Sequence, residues 1–124
     1  VTWRRAVVLS AVSLFAVALS SCSTSAASSN AHTACRHIDL SLSTYKAASA
    51  PGVTATEEAT LNAKAQAELL AALPYAASAT SDDGSYNALM TTIQEADRVP
   101  EGLLVDSLSR QCQQILSKAS YFGF

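Results

Sequence analysis

Glycine and proline are scarce in this chain, four and three in 124 residues. That excludes a loop-rich fold. It also excludes a glycine-rich phosphate cradle, because Gly52, Gly84 and Gly102 stand singly at points that read as turns. Aromatic residues are few, and no run of β-branched residues alternates over a useful length, so no strand signal competes with helix. Basic residues number eight, and two of them, Arg4 and Arg5, lie at the extreme N-terminus. No basic patch or basic-aromatic stripe remains, which argues against nucleic acid and against electrostatic adsorption to anionic lipid. The only histidines, His32 and His37, are five apart and do not share a helix face. A metal site needs three or four converging ligands, so these two read as solvated side chains, and no metal or other cofactor is expected.

What is present is alanine, in amounts that favour helix, and one long apolar run near the start. Trp3-Arg4-Arg5 precedes Ala6 to Leu19, which carries no charge. This has the form of an export signal with an apolar segment of about 7–15 residues. It falls short of the about 20 residues that a spanning helix needs. The segment closes on Leu19-Ser20-Ser21-Cys22. That stretch resembles the lipobox of bacterial lipoproteins. The resemblance covers the first 22 residues and implies removal of 1–21, a diacylglyceryl group on the Cys22 thiol, and a lipid anchor on the extracytoplasmic face of the cell membrane.

The expected organisation is therefore a signal peptide over 1–21, an acylated Cys22 with a flexible Ser/Ala/Thr-rich tether over 22–33, and a helical domain over 34–124. Beyond residue 21 the chain has six basic and ten acidic residues, a formal charge of −4. Three cysteines occur in all. With Cys22 acylated, Cys35 and Cys112 remain as an even pair in an oxidising compartment and are expected to form one disulfide.

Four helices follow from periodicity. The first runs from about Asn30–Ala34 to Ala50, with Cys35, Ile38, Leu42, Tyr45 and Ser49 on one face, and Pro51-Gly52 ends it. The second opens at Thr54-Ala55-Thr56-Glu57, which has the form of a capping box. Leu61, Ala65, Leu69, Ala72 and Leu73 mark its inner side, and Pro74 should kink it rather than end it. Asp82 or Asp83 caps a third helix from about Ser85 to Arg98, with Tyr86, Leu89, Met90, Ile93 and Ala96 inward. Pro100 suits the first position of a fourth helix reaching about Ser120, whose Leu104, Leu108, Cys112, Ile115 and Ala119 recur at helical spacing. Short connections between amphipathic helices predict an all-α, up-down four-helix bundle. In that topology the fourth helix lies beside the first, and the Cys35–Cys112 bridge pins them.

Candidate chemistry is sparse. Glu57-Glu58 and Asp82-Asp83 sit at helix starts, where capping and the helix dipole account for them; Glu68, Glu95 and Asp97 read as solvated. A thiol nucleophile needs a free, low-pKa cysteine, and the bridge removes Cys35 and Cys112. No catalytic residue is expected. The segment Tyr45 to Pro51 is similar to one in a small exported mycobacterial haem-binding family, but Ala50 stands where that family has His. The lipobox, the cysteine pair, Asp83-Gly84 and Arg98-Val99-Pro100-Glu101-Gly102 together resemble small helical lipoproteins of actinobacteria, a likeness that implies no activity. The expected role is a non-enzymatic module that binds a protein, such as an envelope protein, or another cell-envelope component. The alternative is a carrier of a small apolar ligand, lipid or haem-like, held between helices. Tyr121, Phe122 and Phe124 concentrate the aromatics at the C-terminus. They are either a plug for the open end of the core or a contact tail facing the membrane or a partner.

Overall fold

A computed structural model describes residues 20–121. Among them are four α-helices and no strand: α1 (Ser20–Ala48), α2 (Ala55–Asp82), α3 (Asn87–Gln94) and α4 (Val105–Tyr121). Three short 3₁₀ turns, Gly84–Tyr86, Glu95–Asp97 and Glu101–Leu103, extend the ends of α3 and lead into α4. Helix α1 packs along α2 and against α4, while α3 packs against α2 and α4. Cross-helix pairs fix the directions. Ser41 meets Ala65 and His37 meets Glu68, so α1 and α2 are antiparallel. Cys35 meets Cys112 and Ser41 meets Glu101, so α4 also opposes α1. This is the expected all-α, up-down bundle.

One expectation is corrected. Residues 23–33 are not a coil tether but part of α1, which begins at Ser20. Ala27 and Ala31 are fully buried, as are Ala34, Ile38 and Ser41 further along the same helix. These positions alternate by four and three, the repeat of a helix seam that supercoils on a partner. On α2, Ala65, Leu69, Ala72, Ala76 and Ala79 repeat the same alternation, and all are fully buried. Two alanine-lined seams let the helix axes approach closely. The Ser/Ala-rich segment lacks large apolar residues yet continues the register of the seam, and packing overrides its weak hydrophobic signal.

The caps follow local chemistry. Thr54 accepts the Glu57 amide at 3.2 Å, and the Glu57 carboxylate accepts the Thr54 amide at 2.9 Å, closing the capping box of α2. Pro74 lies inside α2, which continues through it to Asp82. Asp83 accepts the Ser85 amide at 2.9 Å and starts the turn into α3. Gly52, at φ 86°, takes the left-handed backbone after Pro51 that glycine adopts without steric cost. Pro100 precedes a 3₁₀ turn rather than occupying the first turn of α4. The core gathers Ile38, Leu69, Leu89, Ile93 and Leu108 around the Cys35–Cys112 bridge.

Candidate functional site

The residues singled out from the sequence scatter. Cys22 lies in the first turn of α1. Cys35 and Cys112 come together in the core, their Cα atoms 5.4 Å apart and their sulfurs at bonding distance, across 77 positions of sequence. Phe122 and Phe124 lie outside the described residues, and Tyr121 ends α4. Among the described residues no group of three or more His, Cys, Asp or Glu side chains converges as metal ligands. No described helix is long and apolar enough to cross a membrane.

Two polar clusters were not foreseen. The first joins α1 to α2 on the outer face. His37 Nδ1 stands 3.1 Å from Glu68 Oε2, and the imidazole stacks on Tyr75 with ring centroids 5.5 Å apart and planes 18° from parallel. His37 and Glu68 are both half-buried rather than solvated. Leu40, one turn beyond His37, is exposed, as is Tyr75. Spacing on one helix could not reveal this pairing, because its members are 31 and 38 positions apart.

The second cluster lies between α1, α2 and the α3–α4 connection. Ser41, the one fully buried polar residue described, has its Oγ 2.6 Å from the Ala65 carbonyl oxygen and 2.5 Å from Glu101 Oε1. Beside it opens a cleft of about 320 Å³ lined by Tyr45, Asn62, Gln66, Leu69, Val99 and Glu101 among others. That is the lower end of the ~300–1,000 Å³ range of ligand pockets. Burial pushes the Glu101 carboxyl above its ordinary value, with the Ser41 contact acting in the opposite, smaller sense. Asn62 Oδ1, on the α2 side, is buried without a hydrogen-bond partner. Apart from this cleft, Gln111 Nε2 donates to Thr92 Oγ1 at 3.0 Å and ties α4 to α3. Such an arrangement can accept or donate hydrogen bonds to a small neutral molecule. It has no nucleophile beside a free base, since the Ser41 hydroxyl is closed off in its two contacts.

Comparison of the chain with protein-family models, with curated proteins and with solved structures finds no match.

Proposed function

We propose that this chain is a lipid-anchored module of the cell envelope, acylated at Cys22, held on the extracytoplasmic face of the membrane and acting by binding rather than catalysis. The observation that carries this reading is the Cys35–Cys112 pair. Their sulfurs at bonding distance favour an oxidising compartment. They leave Cys22 as the one cysteine outside the bridge, directly after the apolar segment that ends at Leu19. One acyl chain holds a protein only marginally, and two hold it stably, so a diacylglyceryl thioether at Cys22 is a sufficient anchor without a spanning helix.

The structure changes what such an anchor would do. Cys22 belongs to α1, and the first buried residue described on that helix is Ala27. At 1.5 Å per residue the two are separated by roughly 8 Å along the axis. An acylated Cys22 would therefore hold the bundle against the membrane through a stiff helical stub, not through a coil. Binding is favoured over catalysis because the polar groups that meet, His37 with Glu68 and Ser41 with Glu101, are each engaged in a bond between helices. An apolar carrier is the weaker reading: the α1–α2 seam is packed with alanine, and the cleft beside Tyr45 is small and part polar.

Metabolic labelling with an alkyne-tagged palmitate tests the assignment. The wild-type protein should take up label, lose residues 1–21 and carry a lipid adduct on its N-terminal peptide by mass spectrometry. Cys22→Ala should remain unlabelled. Label retained in Cys22→Ala, or an unmodified Cys22 peptide from the membrane fraction, refutes the anchor.

A further inference from the structure

The cleft beside Tyr45 collects acceptor oxygens and offers them no positive charge. Asn62, Gln66 and Leu69 line it from α2, where spacings of four and three put them on one stripe of the helix. Tyr45 enters from α1, one turn beyond Ser41, and Val99, Pro100 and Glu101 close it from the α3–α4 connection. Ser41 Oγ stands 2.5 Å from Glu101 Oε1, so an ionised Glu101 accepts the hydroxyl in a charge-assisted bond. That contact uses one carboxylate oxygen, and no described donor meets the other, Oε2. Asn62 Oδ1 is buried and has no partner at all. The Tyr45 hydroxyl, which lies over Gly102, adds a third oxygen to the same walls.

We propose that this cleft binds a small, free primary alkylammonium ion, its N–H groups directed to Glu101 Oε2, Asn62 Oδ1 and the Tyr45 hydroxyl and its short chain laid on Leu69, Val99 and Pro100. An ammonium group carries three donors and no acceptor, the complement of three acceptor oxygens. Buried polar atoms in folded proteins find a hydrogen-bond partner in the large majority of cases. Asn62 Oδ1 lacks one, and the cleft that Asn62 lines is where a ligand donor enters. The cleft binds in this way with or without an anchor at Cys22.

Charge selects a cation over a neutral donor. Glu101 is the one acidic or basic side chain among the lining residues. From α2 the walls are uncharged, and from α1 comes Tyr45, the only other titratable group there. Arg98, on the same connection as Glu101, is paired with Glu95 at 3.8 Å and does not line the cleft. Burial raises the Glu101 carboxyl above its ordinary value, and the Ser41 contact offsets this only in part. A bound cation supplies the compensation that the lining lacks. The volume of about 320 Å³ suits a short chain rather than a long one.

Binding is linked to the proton on Glu101. A cation favours the ionised carboxyl, so affinity should rise severalfold as pH passes upward through the folded Glu101 value, and the bound ion should lower that value. The probe is n-butylammonium, added to the full chain in non-ionic detergent micelles and followed by NMR. The Glu101 backbone amide and the Asn62 side-chain amide should shift saturably, and the carbon-13 midpoint of the Glu101 carboxyl should fall. Glu101→Gln keeps an acceptor for Ser41 and loses the charge. Asn62→Leu keeps the bulk and loses the acceptor. Each should weaken binding severalfold. Shifts that do not saturate, n-butanol bound as tightly as n-butylammonium, an unmoved carboxyl midpoint, or unchanged affinity in either folded variant overturns the site. So does a response to phosphatidylethanolamine in the micelles with none to n-butylammonium, which would assign the ammonium to a lipid headgroup. If neither variant folds, the wild-type midpoint with and without n-butylammonium decides alone.

Discussion

The Tyr45 hydroxyl lies over the backbone of Gly102: a methyl group at position 102 would stand 2.6 Å from the tyrosine oxygen. Gly102 is therefore required by close approach and not by backbone conformation. Gly102→Ala should push the Tyr45 ring out of place at a cost of about 1–3 kcal/mol, as overpacking does. Tyr45→Phe in the same chain removes the clashing oxygen and should recover most of that loss. Urea midpoints for the two single variants and the double variant give the coupling directly.

The bridge between Cys35 and Cys112 closes a loop of 77 positions. The loop-entropy model assigns such a closure roughly 4–5 kcal/mol, a large share of the roughly 5–15 kcal/mol of a typical domain. The Cys35→Ala, Cys112→Ala double variant should lose much of its cooperative melting transition. Calorimetry with and without reductant on the wild type should show the same loss, and thiol alkylation of the unreduced protein should find neither cysteine.

Leu69 is fully buried at the centre of α2 and also forms part of the cleft beside Tyr45. Leu69→Ala leaves a cavity between the helices and should cost about 2–5 kcal/mol. Because α2 contacts both α1 and α3, the loss should appear as one transition in both circular dichroism and tyrosine fluorescence. Two separate transitions would show that the α1–α2 pair folds without α3.

Acid should weaken the helix starts. The Glu57 carboxyl is held below its ordinary 4.5 by the Thr54 amide and hydroxyl. The Asp83 carboxyl is held below its ordinary 3.8 chiefly by the Ser85 amide, with a smaller contribution from Lys118. A lowered folded value gives stability that is present above the ordinary value and is lost as pH falls through the folded one. Glu57→Gln should therefore make the fall in the urea midpoint between about pH 6 and about pH 3 less steep. An unchanged slope would show that the capping box contributes nothing to acid sensitivity.

Local rules made much of the architecture legible. The capping box at Thr54 and Glu57, the Asp83 cap, the stop at Pro51-Gly52 and the spacing of Leu104, Leu108 and Cys112 each depend on residues within a turn or two of one another. They can be read without knowing what packs where. The cysteine pair was legible for a different reason: the helix order places Cys35 and Cys112 at similar height on facing helices.

The amino-acid sequence by itself determined the helical class, the number of helices, most of their ends and the residues of the bridge, because backbone caps and helical periodicity act over three or four positions. Only the tertiary structure decided that residues 23–33 belong to α1, since alanine and serine carry too little apolar area to announce a buried face until a matching alanine seam is laid against them. It alone brought Ser41 to Glu101, His37 to Glu68 and Tyr75, and Tyr45 to Gly102. Those meetings depend on the rotation and axial offset of one helix against another, which are set by the packing of the whole core and by no pattern within a single helix.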